Sequence, residues 1–376
     1  MNYTQENTLQ IAKRYKNTKR TYLLVNPLQG KHIPVSPTAA LDMMTALGQK
    51  LYRQYSKTKL IIGFAETATA IGAAVADCFG EDCIYIHTTR EEIEGVENWI
   101  FFSEEHSHAV EQKLCADRLI PLFEQSPYII FVDDELSTGK TLINIVEQLR
   151  RQYPILQDKK MIVASILNRL TEENTNRLTA ANITAEYLVK LPEVDYTTAV
   201  ANIEVEAAQD FWNADCEIED YTLLPLQTNI SNPRLGVSAN MYKTQCRYMA
   251  QQALQLLLKI NGKSVLVLGT EECMYPALVL GQTIEEQKVV RTVRCHATTR
   301  SPIGICTKDN YPIFEGYKIH SFYETERETF IYDVAKYDVV LIVTDTKQND
   351  TTAIRNLTAV LKKHNCGKIF LINISR

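Results

Sequence analysis

The chain has no excess of positive charge: 40 Lys and Arg stand against 45 Asp and Glu among 376 residues, a formal charge of −5. Duplex-binding proteins carry a basic excess or stripe, so nucleic acid is not an expected partner. Apolar runs long enough to cross a bilayer, ~20 residues, are missing. The first 20 residues are polar and cationic with no apolar stretch, so neither a membrane span nor a secretory signal is expected. There is no Cys-x-x-Cys pair among the nine cysteines, an odd number, of which Cys78 and Cys83 lie closest together. That usage fits a reducing cytoplasm and argues against a disulfide framework or a structural zinc site. No internal repeat or low-complexity tract is apparent.

What is present is the composition of a globular protein, 45% hydrophobic and 23% charged, and a length that suggests two or three domains. Short runs rich in Ile, Val, Tyr and Phe predict strands at 21–26, 59–64, 83–87, 128–132 and 161–167. Amphipathic stretches at 39–55, 67–78 and 141–152 predict helices between them. A second series predicts strands at 264–269, 289–296, 318–321, 338–344 and 368–372, with helices at 242–260, 275–287 and 351–363. Near-continuous apolar strands separated by helices imply mostly parallel sheets covered on both faces, hence two tandem α/β domains. Residues 223–238 hold Pro225, Asn229, Ser231, Asn232, Pro233 and Gly236 and show neither period. They are the expected linker between domains at 1–222 and 239–376.

The most informative stretch is Ile129-Ile130-Phe131-Val132-Asp133-Asp134-Glu135-Leu136-Ser137-Thr138-Gly139-Lys140-Thr141. A buried-type strand ends in two carboxylates, and a loop of small hydroxylic residues then opens a helix. Ligands of open α/β sheets bind beyond the carboxyl ends of the strands. A small-residue loop at a helix N-terminus turns backbone N–H groups toward a phosphate. Two carboxylates beside such donors suit a phosphate ester that also carries vicinal hydroxyls, as ribose 5-phosphate does. A nucleotide P-loop is the alternative for Gly-Lys-Thr, but its first glycine position is Asp134. An acidic turn that merely caps a helix is the other.

This stretch closely resembles the phosphoribosyl-diphosphate (PRPP) motif of type I phosphoribosyltransferases. Departures are Glu135 for an apolar residue and Ser137 for Thr. The resemblance implies that Asp133 and Asp134 meet the ribose hydroxyls, directly or through Mg²⁺ and its water. It assigns the 5-phosphate to Ser137, Thr138, Gly139, Lys140 and Thr141. Gly63-Phe64-Ala65-Glu66-Thr67-Ala68 falls where the family binds diphosphate, which singles out Ala65, Glu66, Thr67 and Ala68; a plain helix start is the alternative. Arg169, after the strand at 161–167, matches the orotate-type branch, with a surface charge as the alternative. The family's mobile catalytic loop falls between Ile86 and Lys113, so Arg90, His106, His108 and Lys113 are candidate cations for the leaving group; a His-x-His metal pair and a solvated loop are the alternatives. Lys31 and His32 lie where an N-terminal hood often holds the acceptor base, with a structural turn as the alternative.

The second domain opens similarly, with Val265-Leu266-Val267-Leu268-Gly269-Thr270-Glu271-Glu272 and then Cys295-His296-Ala297-Thr298-Thr299-Arg300-Ser301-Pro302. The first is half a Rossmann-like signal, lacking the full glycine pattern. Gly269, Thr270, Glu271, Thr298, Thr299, Arg300 and Ser301 could form an anion site or a structural turn. Thr-Arg-Ser-Pro after a phosphoribosyltransferase-like domain resembles the phosphoribosyltransferase–TRSP tandem of bacterial tellurite-resistance and stress-response gene clusters. That resemblance implies an enzyme of nucleotide-like metabolism that uses PRPP, Mg²⁺ and a small-molecule acceptor, and it allows a homodimer through the first domain. A sensor that binds PRPP without turnover is the competing expectation.

Overall fold

The structure, a computed structural model, describes residues 2–18, 20–102, 112–257, 260–347 and 351–375. From the N-terminus come α1 (Gln5–Thr8), β1 (Gln10–Lys13), β2 (Tyr22–Val25), α2 (Pro37–Tyr55), β3 (Leu60–Gly63), α3 (Thr69–Asp77) and β4 (Ile84–His87). Next are β5 (Trp99–Phe102), β6 (Gln112–Cys115), α4 (Leu119–Gln125), β7 (Tyr128–Leu136), α5 (Lys140–Gln152), β8 (Lys160–Asn168), α6 (Glu172–Ala180), β9 (Ile183–Lys190) and α7 (Tyr196–Ala201). Then follow β10 (Gln209–Asp210), β11 (Thr222–Leu223), β12 (Val237–Ser238), α8 (Ala239–Leu256), β13 (Ser264–Gly269), α9 (Tyr275–Glu286) and β14 (Thr292–Ala297). The last are β15 (Gly316–His320), β16 (Glu328–Tyr332), β17 (Val339–Thr344), α10 (Thr352–Lys363) and β18 (Lys368–Asn373).

The chain forms two compact α/β units, as expected, but they are not consecutive stretches. The first comprises Met1–Tyr3, Asp42–Glu193 and Ser231–Thr244; the second comprises Thr4–Leu41, Val194–Ile230 and Gln245–Arg376. Residues 4–41 and 194–222, expected in the first domain, therefore pack with the second. The expected linker contributes strand Val237–Ser238 to the first unit's sheet.

In the first unit a sheet runs β12-β4-β3-β7-β8-β9, parallel except for β12. β3 and residues 129–132 of β7 are wholly buried, which is why they read as unbroken apolar runs. Leu142, Ile145, Val146 and Leu149 form one buried face of α5 at helical spacing. They join Ile62, Ile129, Phe131, Met161 and Val163 in a single core.

In the second unit the sheet runs β11-β18-β17-β13-β14, all parallel. Its core gathers Leu266, Val340 and Ile342 with Leu357, Val360 and Leu361 of α10. The β1–β2 hairpin buries Ala12, Leu23 and Val25 against Ile303, Ile313, Phe330 and Tyr332 within this same unit. All nine cysteines are free thiols. Among the described residues no helix is long and apolar enough to cross a membrane.

Candidate active site

In the first unit β3 ends at Gly63, opposite Val132 of β7. β7 continues four residues further, held by β8, with Asp133 opposite Ser165 and Leu136 opposite Asn168. The strand thus reaches past Val132, where the sequence pattern ended it. Asp133, Asp134 and Glu135 are half-buried at its projecting end. The Asp133 carboxylate accepts the Asp134 backbone N–H at 2.9 Å.

The chain then turns through Ser137 and Thr138 to Gly139, which takes φ +70° and serves as the N-cap of α5. A Cβ there would lie 3.1 Å from the Leu178 side chain, so both conformation and space favour glycine. Gly139 brings no capping side chain to α5, the Lys140 N–H donates to the Thr138 hydroxyl at 3.4 Å, and Thr138, Lys140 and Thr141 are exposed, so this helix start is open to solvent.

The loop after β3 is built from the neighbouring strands. Phe64 N–H donates to Val132 O at 3.0 Å, and Thr88 N–H donates to Gly63 O at 2.9 Å. The Thr88 hydroxyl accepts the Ala65 N–H at 2.8 Å. α3 begins at Thr69 with Ala68 as an N-cap that has no side-chain bond, so Glu66 and Thr67 are not the plain helix start. The Ala65–Glu66 peptide is cis. Arg90 follows Thr88-Thr89 directly and is half-buried. Lys113, another candidate cation, pairs with Glu92 and stands 4.7 Å above the Trp99 ring. Arg169 follows β8, and its backbone N–H donates to Leu136 O at 2.9 Å, so it sits beside the projecting end of β7. His106 and His108 lie outside the described residues. Among the described residues no three His, Cys, Asp or Glu side chains are grouped to hold a metal ion.

A family model described as "Phosphoribosyl transferase" matches residues 8–197, half of the chain, and one described as "TRSP domain C terminus to PRTase_2" matches residues 231–361. The chain belongs to the phosphoribosyl transferase family. Its members transfer phosphoribosyl groups, a glycosyltransferase-type activity. Among solved structures, adenine phosphoribosyl transferase from Trypanosoma brucei aligns with 49% of this chain and 77% of its own, at 16% identity and a TM-score of 0.37. Orotate phosphoribosyltransferase from Aeropyrum pernix aligns with 53% of this chain and 96% of its own, at 12% identity and a TM-score of 0.32. No curated protein matches the chain.

Two expectations fail on geometry. Lys31 and His32 belong to the second unit, not to a hood of the first. The Lys31 ammonium is fully buried and donates to the backbone carbonyls of Glu271 at 2.8 Å and Thr298 at 2.9 Å. His32 is buried beside it, and burial above all, with the Lys31 charge, pushes its pKa down to about 3. A neutral imidazole and a committed ammonium, both shut from solvent, cannot receive an acceptor base there.

The second correction concerns the expected anion site of the second unit. Arg300 does meet an anion, but it is the chain's own. Its Nε donates to Glu271 Oε2 at 2.8 Å, and a terminal nitrogen lies 3.4 Å from Glu272 Oε1. Arg327, which the sequence pattern did not single out, approaches Glu271 Oε2 at 3.3 Å. Glu271 Oε1 accepts from the Ser321 hydroxyl at 2.6 Å. The Thr298 hydroxyl accepts the Glu271 N–H at 3.0 Å, and Ser301 N–H donates to the Thr299 hydroxyl at 3.3 Å. Gly269 and Thr270 lie at the root of this loop, where the Thr270 hydroxyl donates to Thr344 Oγ1 at 2.9 Å.

Proposed function

We propose that this chain, acting in the cytoplasm, moves a 5-phosphoribosyl group between diphosphate and a nitrogen of a small base or amine, with PRPP as the donor in the forward direction. The observation that carries the reading is the end of β7. Two half-buried carboxylates run into a solvent-open, glycine-started helix, while the 64–68 loop is anchored to the same strand at Val132. One end of that arrangement suits vicinal hydroxyls and the other a phosphate monoester.

Asp133 and Asp134 accept hydrogen bonds from the ribose 2- and 3-hydroxyls, fixing the ring. The amides and hydroxyls of Ser137, Thr138, Gly139, Lys140 and Thr141 hold the 5-phosphate at the N-terminus of α5. The backbone amides of Ala65 to Ala68 receive the diphosphate, and Arg90 adds positive charge where negative charge grows as the glycosidic bond breaks. Departure leaves oxocarbenium character on the sugar, and the carboxylates beside the ring stabilise it. Mg²⁺ fits this donor set, because it is commonly held by one or two carboxylates together with ligand phosphates and waters. Asp133 and Asp134 would hold it, and it would supply charge neutralisation to the diphosphate.

Calorimetry with PRPP and Mg²⁺ tests the reading. Wild type binds, and Asp134→Asn weakens binding at least about tenfold, the loss of one charge-assisted interaction. Equal affinity in the variant overturns the site. Diphosphate release against a panel of bases and amines then identifies the acceptor; binding without release from any of them turns the reading to a PRPP sensor.

A further inference from the structure

The second unit repeats the first, bond for bond, around its loops. The central strand orders correspond: β4-β3-β7-β8 in one and β14-β13-β17-β18 in the other. Thr88 N–H donates to Gly63 O at 2.9 Å, and Thr298 N–H to Gly269 O at 3.0 Å. The Thr88 hydroxyl accepts the Ala65 N–H, and the Thr298 hydroxyl accepts the Glu271 N–H. Phe64 N–H reaches Val132 O, and Thr270 N–H reaches Val343 O. A hairpin docks on each: Thr89 exchanges backbone bonds with Lys113, and Thr299 with Phe330. Even the edge agrees, since Val237 pairs antiparallel with Tyr85 and Val35 with Cys295, each Val followed by Ser and a long helix. Local sequence alone showed no repeat.

This register makes every substitution between the copies legible. Arg300 stands for Arg90, Asp345 for Asp134 and Thr344 for Asp133. The decisive change is Glu271 in place of Ala65. Its side chain is fully buried, and its carboxylate takes Arg300, Arg327, Ser321 and the Phe322 N–H. Where the first copy starts its helix on Gly139, the second starts α10 on Thr351, so the glycine that opens the first cradle has no counterpart there. An incoming phosphate would have to displace Glu271 and strand that charge without its guanidinium partners.

We infer that the second unit is a copy of the first whose anion position is filled by the Glu271 carboxylate, so that each chain offers one site for a diphosphate-bearing sugar, not two. The correspondence of bonds stands by itself; only the identity of the first copy's ligand rests on the function proposed above.

The test uses the full chain, inorganic diphosphate and inorganic phosphate. Wild type binds one diphosphate per chain in calorimetry. Glu271→Ala melts at least about 5 °C below wild type, because two guanidiniums lose the buried carboxylate they share and keep only Glu272 and Glu324. Millimolar phosphate recovers part of that loss, beyond any shift it gives wild type, and Glu271→Ala/Arg300→Ala abolishes the recovery. If Glu271→Ala does not fold, Glu271→Gln, which keeps the volume, shows the same Arg300-dependent gain. Two diphosphates per wild-type chain, or a folded Glu271 variant without that gain, overturns the inference. Failure of the first site removes the wild-type equivalent and leaves the Arg300-dependent recovery intact, so the two outcomes are distinguishable.

Discussion

Thr88 Oγ1 accepts a hydrogen bond from the Ala65 N–H at 2.8 Å, and both residues are buried. The hydroxyl proton goes to Gln112 Oε1 at 2.7 Å, so one side chain fixes the loop and anchors the hairpin strand β6. Thr88→Val keeps the shape and removes both bonds. The expected cost is about 1–3 kcal/mol of stability from the stranded amide, read by urea denaturation. PRPP affinity falls with it, and Thr88→Ser restores both. Unchanged PRPP affinity in folded Thr88→Val would mean that the loop does not hold the diphosphate.

Gly139 offers a second test of the same site. Its φ of +70° costs an alanine about 1–2 kcal/mol, and the new Cβ would press on Leu178 at 3.1 Å. Gly139→Ala should shift the start of α5 and weaken PRPP binding more than it lowers the melting temperature. Leu178→Ala in the same chain makes room for the Cβ but should not recover affinity, because the backbone conformation is still wrong, and emptying this core position lowers the melting temperature further. Calorimetry and thermal melts on the pair of variants check this.

How much of this was legible in sequence depends on range. The buried central strands were visible because their residues are apolar on both faces. β7 was cut short at Val132 because Asp133, Asp134 and Glu135 do not resemble strand residues, yet β8 carries them to Leu136. The short strands β6 and β16 and the edge strand β9 mix polar and apolar residues and gave no clear period, and β5 is apolar throughout but only four residues long. The stretch that resembles the PRPP motif is local, and its strand, paired carboxylates and glycine-started helix follow one another along the chain. Lys31 was misread because its partners, Glu271 and Thr298, lie 240 and 267 residues away, and a lysine in a turn-rich stretch looks like a surface residue. The repeat was hidden because parallel α/β units share apolar strands by default. Gly63 with Thr88-Thr89-Arg90 and Gly269 with Thr298-Thr299-Arg300 were the available signal.

Lys31→Met separates the two roles considered for that residue. A buried ammonium bonded to two carbonyls is worth about 2–4 kcal/mol when removed with its partners left in place. The variant should melt several degrees lower while the folded protein keeps its acceptor KM. An acceptor-binding lysine would do the opposite, raising KM with little change in melting.

Acid should destabilise the second unit. Burial lowers His32 to about 3 and His296 to about 4, both from 6.5. Folded pKa values below the unfolded one mean that this stability is whole above pH 6.5 and is lost as pH falls toward 4. Burial raises Asp333 from 3.8 to about 6, which works the other way, adding stability as pH falls through 6. Two histidines against one carboxyl leave a net of about one proton, or ~1.4 kcal/mol per pH unit near pH 5. Melting temperatures at pH 7.5, 6 and 5 measure the slope; a flat profile would contradict the burial of the two rings.

Cutting the chain at the expected linker should yield no independent domain. Fragment 1–222 lacks Ser231–Thr244, which belongs to the first unit. That segment supplies Val237, paired with Tyr85 at the sheet edge, the Ser238 hydroxyl bonded to Glu81 O at 2.9 Å, and Lys243, paired with Asp77 at 2.5 Å. Fragment 223–376 lacks Thr4–Leu41, and with it the buried Lys31 and the Val35 bridge to Cys295. Each piece would expose apolar sheet edge and leave buried polar groups unpaired, costs that a marginal stability of roughly 5–15 kcal/mol does not absorb. Expressed alone, neither fragment should melt cooperatively by circular dichroism, whereas the two expressed together should co-purify and bind PRPP. A cooperatively folded 1–222 that binds PRPP alone would show that the exchanged segments are dispensable.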